Sequence, residues 1–309
     1  MNSSLAVIIG SGSAARQHAY ALRALGFRVQ FITSRSLEGE ETLTTIEEAL
    51  KNHSIELVVI ANESYKHQAE ITNLIRLKYQ GNLMCEKPLY LSSETPPNMQ
   101  FKKFRVGFNL RYEPSLLKFK KCVEQANSNI DLVVFHYGKN LKLWRPERDH
   151  LTNYSAHRKL GGGVLWDLSH EVDMAHWLLG DLEITNAYGG RISNVTVDSD
   201  DFWDIKFKVK ADSIIGQIRI DSLDYMPERY VKFYFKDFTL YLDLLKKEIF
   251  NNTNLIWKQI KPNNSFLDMY KDILFNENDT ACNYPQALKI ESFIQGAFKI
   301  NTFKEYGKC

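Results

Sequence analysis

The stretch SLAVIIGSGSAARQHAYALRALGFRVQFITSRS, residues 4–36, decides the fold of the first part of this chain. Leu5–Ile9 is an uninterrupted apolar run, which is typical of a parallel strand buried on both faces. A glycine turn at residues 10–12 follows at once, then a helical pattern over Ala14–Leu25 and a second strand over Val29–Ile32. This order predicts a dinucleotide-binding unit, because the glycines let a pyrophosphate approach the helix N-terminus. The alternative is a purely structural turn, since such a glycine pair alone is a weak signal.

The length and composition indicate an ordinary two-domain globular protein. The chain has 309 residues, 44% of them hydrophobic and 25% charged, which is more than one core usually holds. A formal net charge of +2 predicts neither a nucleic-acid partner nor an anionic membrane partner. No apolar run approaches the roughly 20 residues that would span a bilayer.

The start of the chain and its cysteines favour a cytoplasmic location. The first ten residues, MNSSLAVIIG, lack a basic segment and a cleavage site, so no signal peptide is expected. The cysteines share no metal-binding or redox-motif spacing, and they are Cys85, Cys122, Cys282 and Cys309. We therefore expect reduced thiols and no metal site.

The end of the second strand favours NADP over NAD. An acidic residue there would bind the ribose 2′-hydroxyl of NAD, but residues 33–36 read TSRS. Arg35 can pair with a 2′-phosphate, and Ser34 can donate a hydrogen bond to it. The alternative is a solvated arginine in a loop, so NAD stays possible.

Three more apolar runs continue the alternation of strands and helices. Strands are expected at 55–62, 81–90 and 104–112, and ligands bind outside the carboxyl ends of such strands. Lys87 lies at one of these ends and is followed by a proline, which makes the turn rigid. The alternative is a lysine that only extends to the surface.

The pattern changes after about residue 115. A glycine run opens GGGVLWDLSHEVD, residues 161–173, and a helix is expected to follow as far as Leu179. Beyond it strands dominate, with alternating polar and apolar residues that indicate a sheet with one wet face. The predicted fold class is α/β plus α+β, with a Rossmann parallel-sheet domain at 1–118. A domain with a large, mostly antiparallel open sheet is expected at 119–309, with a last helix near 285–299.

Five segments, in the correct order, resemble the Gfo/Idh/MocA family, named for glucose–fructose oxidoreductase, inositol dehydrogenase and a rhizopine-catabolism protein. They are the Gly10-x-Gly12 turn with His18, IANESYKH at 60–67, CEKP at 85–88, GFNLRYEP at 107–114 and GGGVLWDLSHEVDMAHWLLG at 161–180. The resemblance covers essentially the whole chain and implies an NAD(P)-dependent oxidoreductase.

The resemblance implies a catalytic set of Lys87, Asp167 and His170. The imidazole or the lysine would take a hydroxyl proton while hydride leaves the carbon, and a carboxylate would hold the imidazole tautomer. His170 follows Asp167 by three residues, whereas family members commonly have four. On one helix this rotates the two side chains by roughly 100°, so Asp173 is an alternative partner. A purely structural role for the pair stays open.

The resemblance also implies which residues hold the cofactor. They are Gly10, Gly12, Ser13, Ala14, Ser34, Arg35, Asn62, His67, Glu86 and Lys87.

The segment before the glycine run mixes aromatic and cationic residues, which suits a polar, anionic substrate. A solvated basic loop is the alternative. The segment is similar to family members that serve surface-polysaccharide or nonulosonic acid pathways, which implies a sugar, a sugar acid or a nucleotide-activated sugar. The expected substrate-binding residues are Arg111, Tyr112, Trp144, Arg145, Tyr154 and Asp173.

Other functions stay open at this point. They are an epimerase or a glycosidase with a tightly held cofactor, and a nucleotide-binding pathway protein without redox turnover. Aromatics alternate along 202–210 and 230–242, which predicts a sheet face without a covering helix. Because such a face favours a two-fold partner, we expect a homodimer or a homotetramer.

Overall fold

The computed structural model describes residues 4–91, 100–144, 154–193, 198–275 and 280–303. The chain forms two compact units. Unit 1 contains Met1–Tyr112 and Asn264–Leu288, and unit 2 contains Glu113–Asn263 and Lys289–Cys309. Residues 264–288, which we had predicted in the second domain, therefore belong with the first.

The described residues up to 112 form six strands and three helices. In chain order they are β1 Leu5–Ile9, α1 Ser13–Ala24, β2 Arg28–Ile32, β3 Glu41–Leu43, α2 Ile46–Asn52, β4 Ile55–Ile60, α3 His67–Arg76, β5 Asn82–Cys85 and β6 Lys103–Val106. Short 3₁₀ turns cover Ser64–Lys66 and Asn109–Tyr112.

The described residues after 112 form eight strands and six helices. They are α4 Pro114–Glu124, β7 Ile130–Gly138, α5 Leu141–Trp144, α6 Val164–Asp167, α7 Ser169–Leu179, β8 Leu182–Gly190, β9 Phe202–Val209, β10 Ile215–Asp221, β11 Glu228–Phe235, β12 Thr239–Asp243, β13 Glu248–Asn251, β14 Asn254–Lys258, α8 Ser265–Phe275 and α9 Tyr284–Ile300. None of the helices in the described ranges is long and apolar enough to cross a membrane.

Unit 1 is built on a six-stranded parallel sheet in the order β3-β2-β1-β4-β5-β6. Every residue of β1 is buried, as its uninterrupted apolar run predicts. Helix α8 returns from the later part of the chain to pack on α1, and its Tyr270 is fully buried. The parallel order brings the carboxyl ends of β1, β4 and β5 to one edge.

Unit 2 is built on an eight-stranded sheet in the order β14-β13-β12-β11-β7-β10-β9-β8. Its pairings are antiparallel except the one between β7 and β10. Along β11, buried Val231, Phe233 and Phe235 alternate with half-exposed residues, so one face is covered. Helices α4, α6 and α7 pack against strands of this sheet. The predicted fold class is confirmed.

Some predicted boundaries were wrong. The strand expected over 104–112 ends at Val106, because a 3₁₀ turn takes over at Asn109. The strand expected over 81–90 spans only Asn82–Cys85. Strands β3 and β14 and helix α8 were not predicted.

Candidate functional site

The glycine turn between β1 and α1 lies against the end of β4. Gly10 has a φ of +119°, and a Cβ built there would lie 2.5 Å from the carbonyl oxygen of Ala61. Gly12 is the N-cap of α1, and a Cβ at Gly12 would meet nothing within 4 Å. Gly10 is therefore required by packing, whereas Gly12 opens onto free space at the positive end of a helix.

The end of β2 is tied to this glycine turn. Thr33 Oγ1 donates to Ser11 Oγ at 3.2 Å and accepts the backbone N–H of Arg35 at 3.1 Å. The side chains of Ser34 and Arg35 are exposed. The two residues predicted to choose between NADP and NAD are thus placed beside the predicted phosphate-binding turn.

Asn62 and His67 follow β4 at the same edge. The Asn62 side chain donates to Glu70 Oε1 at 3.0 Å, and its own Oδ1 is buried without a hydrogen-bond partner among the described residues. The fully buried His67 places Nδ1 2.8 Å from the Pro88 carbonyl oxygen and Nε2 3.2 Å from that of Asn62. His67 therefore braces two strand-end loops, and burial lowers its pKa.

A buried hydrogen-bond chain holds Glu86, the residue that follows β5. Glu86 Oε1 lies 2.9 Å from His18 Nε2, and His18 Nδ1 lies 2.7 Å from the Tyr270 hydroxyl. Burial raises the pKa of Tyr270 well above its usual value, so the phenol stays protonated and donates to Nδ1. Nε2–H then donates to the carboxylate.

The charge state of Glu86 follows from this chain. Burial alone would raise its pKa, but the His18 hydrogen bond and the positive charge of Lys87 help to bring the pKa below its usual value. The other carboxylate oxygen accepts the Lys87 backbone N–H at 3.2 Å. Glu86 is therefore an ionised group that fixes the backbone of Lys87. The contribution of Tyr270 was missed, because α8 carries no motif that separates it from an ordinary amphipathic helix.

Arg111 and Tyr112 lie in the interior of unit 1. Arg111 is 2% exposed and donates to Gln286 Oε1 at 2.9 Å. The Tyr112 hydroxyl donates to Asp272 Oδ2, which also accepts the backbone N–H of Thr280 at 2.8 Å. Both residues thus hold the returning segment 264–288, which differs from the substrate contact we predicted for them.

The glycine run of unit 2 is explained by packing. A Cβ at Gly162 would lie 2.4 Å from the Tyr154 carbonyl oxygen, and one at Gly163 would lie 2.3 Å from Asp200 Oδ1. Gly161 and Gly163 also have positive φ values of +81° and +119°. The space beside Gly162 and Gly163 is therefore filled by the protein itself.

Asp200 was missed by the sequence analysis. Its Oδ2 accepts the Leu165 backbone N–H at 3.1 Å and the Trp203 indole N–H at 2.8 Å. Oδ1 is buried against Gly163 without a hydrogen-bond partner among the described residues. Burial raises the pKa of Asp200 to about 6.

Asp167 and His170 lie on two different helices. Helix α6 ends at Asp167, Leu168 has φ −100° and ψ 28°, and α7 begins at Ser169. The expected rotation of roughly 100° on one continuous helix was therefore wrong. Asp167 and Asp173 are buried, whereas His170 is half-buried.

A buried ion pair anchors α7 to the sheet. Glu171 is fully buried, and Arg229 Nε donates to its Oε1 at 2.7 Å. The guanidinium carbon of Arg229 also lies 4.6 Å from the centroid of the Tyr137 ring. These contacts to β11 and β7 orient the helix that presents His170.

The remaining predicted substrate residues are only partly described. Trp144 and Tyr154 are half-buried, and Trp144 Nε1 donates to the Lys139 carbonyl oxygen at 2.8 Å. Arg145 lies outside the described residues.

Two solved structures of other proteins match the fold of this chain over nearly its whole length. The WlbA dehydrogenase from Bordetella pertussis, solved with NADH and UDP-GlcNAcA, is 16% identical with a TM-score of 0.75, covering 96% of each chain. A levoglucosan dehydrogenase solved with NADH is 14% identical with a TM-score of 0.79, covering 97% of this chain and 98% of that one.

Sequence comparison adds a shorter match and a family. A shikimate dehydrogenase (NADP(+)) of Dictyoglomus turgidum is 27% identical over 142 residues, which are 45% of this chain and 48% of that protein. The chain thus spans about half the length of this curated relative. Residues 5–100 match the Gfo/Idh/MocA model, described as an oxidoreductase family with an NAD-binding Rossmann fold. The amino-terminal domain, over residues 5–100, therefore matches the Gfo/Idh/MocA family of oxidoreductases.

Proposed function

We propose that the chain is an NAD(P)-dependent oxidoreductase that moves a hydride between the cofactor and a carbinol or keto carbon of a sugar-type substrate. The observation that carries this proposal is the row of groups at one sheet edge, where Gly10, Asn62 and Lys87 follow adjacent strands. Ligands of open parallel sheets bind at this edge. The match of residues 5–100 to an oxidoreductase family supports redox chemistry over nucleotide binding alone.

The residues at this edge fit a dinucleotide. The space beside Gly12 is open, and the first turn of α1 has no acidic residue that would repel a pyrophosphate. The buried Oδ1 of Asn62 can accept a hydrogen bond. We assign pyrophosphate binding to residues 10–14. Ser34 and Arg35 would bind a 2′-phosphate, which favours NADP.

The chemistry of the chain's own residues follows from their types. Bound nicotinamide supplies or accepts the hydride. His170 accepts the hydroxyl proton during oxidation and returns it during reduction. Lys87 orients that hydroxyl or relays its proton. Its backbone is held by the hydrogen bond to Glu86. Asp167 or Asp173 stabilises the imidazolium as it forms.

The substrate is proposed to be a sugar, a sugar acid or a nucleotide-activated sugar. The matched WlbA and levoglucosan dehydrogenase structures are named for such chemistry, which supports the class. Trp144, Arg145 and Tyr154 are the residues we propose to contact it, in addition to Asp173. We assign Arg111 and Tyr112 to holding unit 1 together. Surface-polysaccharide or nonulosonic acid biosynthesis stays our proposed pathway class.

We also propose that the protein is a cytoplasmic homodimer or homotetramer. Half-exposed side chains of Tyr230, Tyr234 and Tyr241 occupy the face of the unit 2 sheet opposite to its buried residues. An aromatic sheet face of this kind suits a second copy.

The experiment that tests the function is a substrate screen followed at the nicotinamide absorbance. The purified protein is mixed with NADPH or NADH and keto-sugars, and with the oxidised cofactors and free sugars, sugar acids or nucleotide-activated sugars. We expect turnover with a member of this panel. Defined cofactor binding without turnover on any member, in either direction, would favour a nucleotide-binding protein. A cofactor that co-purifies and never exchanges would favour an epimerase or a glycosidase.

A further inference from the structure

Three side chains that play no part in the proposed reaction converge in unit 2, at the ends of its central strands. They are His136 of β7, Asp224 of the loop after β10 and Glu228 at the start of β11. One nitrogen or oxygen atom from each lies within 4.8 Å of the others. Residues of three chain segments that are far apart in sequence thus meet at one point.

The imidazole of His136 is set up as a nitrogen ligand. The residue is 7% exposed, and Nδ1 lies 3.1 Å from the Arg219 carbonyl oxygen. A carbonyl can only accept, so Nδ1 carries the hydrogen and Nε2 carries the lone pair. Within the described ranges, no hydrogen bond occupies Nε2. Metal-bound histidines usually make this same second hydrogen bond to a carbonyl or carboxylate.

The turn that carries Asp224 is held in place by its neighbours. Asp221 Oδ1 accepts the backbone N–H groups of Leu223 and Asp224 at 3.1 and 3.2 Å. Asp224 Oδ1 accepts the Met226 N–H at 2.7 Å. A Cβ at Gly138 would lie 3.1 Å from Asp224 Cβ, so the aspartate packs directly on β7, two residues beyond His136.

The local charge suits a divalent cation. Within the described part of the chain, neither Asp224 nor Glu228 forms an ion pair with a lysine or arginine. The guanidinium of Arg219, on the neighbouring strand, lies instead over the Phe202 ring, 5.7 Å from its centroid. Two carboxylates and a neutral imidazole carry a net charge of −2.

We propose that His136, Asp224 and Glu228 bind one divalent first-row transition-metal ion, with Zn²⁺ as the expected occupant. Mixed nitrogen and oxygen ligands suit Zn²⁺ and its neighbours in the series, whereas Mg²⁺ and Ca²⁺ prefer oxygen alone. Three protein ligands leave at least one position for water or a further ligand. The site does not depend on the proposed function, because none of the three residues belongs to the proposed reaction site.

The test is metal titration of the full chain after treatment with a chelator. Calorimetry with Zn²⁺ and visible absorption with Co²⁺ should show one ion per chain and no thiolate charge-transfer band. His136→Gln and Glu228→Gln should each weaken Zn²⁺ binding by about tenfold or more, because each removes a ligand. The matched controls His53→Gln and Glu56→Gln, remote in sequence and outside the cluster, should bind as the unmodified protein does.

Three results would overturn the proposal. They are no binding of either ion at submillimolar concentration, unchanged affinity and stoichiometry in Glu228→Gln and Asp224→Asn, or a thiolate band that assigns the ion to a cysteine. Asp224 and Glu228 are more exposed than His136, so their variants decide the question even if His136→Gln fails to fold.

Discussion

At the scale of single residues, Glu86 holds the backbone of Lys87, a proposed catalytic residue. Its carboxylate accepts hydrogen bonds from the His18 imidazole and from the backbone N–H of Lys87. The His18 imidazole in turn accepts a hydrogen bond from the Tyr270 phenol. Each donor meets one acceptor, so no buried member of the chain lacks its bond at these atoms. A residue from α8 thus stabilises the turn that carries Lys87.

Arg35 carries the predicted cofactor preference. Loss of a guanidinium–phosphate hydrogen bond costs about 1.5–3 kcal/mol, so Arg35→Ala should weaken NADPH binding about tenfold or more. NADH binding should stay nearly unchanged, because NADH lacks the 2′-phosphate. Calorimetric titration of both cofactors measures this. Equal affinities for NADPH and NADH in the unmodified protein would contradict the preference.

Asp200 makes stability depend on pH in an unusual direction. Burial raises its pKa to about 6, compared with about 3.9 in an unfolded chain. Its stabilising contribution is therefore complete below about pH 4 and is lost as the pH rises through about 6. Asp200→Asn stays neutral, so it should gain up to about 3 kcal/mol relative to the unmodified protein between these pH values.

Urea unfolding at pH 4.5 and 7.5 measures this relative change, and the exposed Asp212→Asn serves as the matched control. The difference between the Asp200→Asn and unmodified free energies of unfolding should grow toward pH 7.5. A difference that stays constant, as expected for Asp212→Asn, would mean that Asp200 titrates normally.

At the scale of elements, the buried Glu171–Arg229 pair anchors α7 to the sheet. Removing one partner of a buried pair costs about 3–5 kcal/mol, because the other charge stays buried. Glu171→Ala should therefore lower the free energy of unfolding by about this amount. Glu183→Ala, which removes an exposed pair with Lys208 in the same unit, should cost no more than about 1 kcal/mol. Equal losses in the two variants would show that Glu171 does not anchor the helix.

The sequence predicts an element well when the residues of that element alone determine its secondary structure. The apolar run of Leu5–Ile9 and the periodic helix after it form as expected, because burial on both faces leaves no other pattern. By contrast, α8 has no turn signal or motif that assigns it to unit 1. The short, exposed β14 also lacks the apolar alternation that identifies a strand.

The candidate site divides in the same way. Glycines 10 and 12 and the Glu86–Lys87–Pro88 turn were predictable, because their chemistry is local. The reason for the glycine run at 161–163 could not be predicted, since it is the Asp200 carboxylate and the Tyr154 backbone, neither of them adjacent in sequence. The break at Leu168 likewise follows no glycine or proline, so one continuous helix was expected.

At the scale of the whole molecule, one chain builds two units, and neither is continuous in sequence. Residues 264–288 complete unit 1 through Tyr270 and Asp272, and residues from 289 onward return to unit 2. Truncation near residue 264 would therefore remove part of both units.

The open face of the unit 2 sheet predicts self-association. Light scattering at micromolar concentration should give a dimer or a tetramer, because the aromatic face would otherwise stay in contact with water. Tyr234→Lys, on this face, should shift the protein toward the monomer, whereas Tyr20→Lys, on α1, should not. A monomer in the unmodified protein would contradict the proposed assembly.

The most direct test of the proposed function is single-turnover hydride transfer, followed at the nicotinamide absorbance with a substrate from the screen. His170→Ala and Lys87→Ala should each lower the rate by roughly 10²- to 10⁴-fold. If the two residues act together, the rate loss in the double variant should be far smaller than the two single losses multiplied. His176→Ala, on the same helix, should react at the normal rate. Near-normal rates in both His170→Ala and Lys87→Ala, in folded and cofactor-loaded protein, would contradict the account.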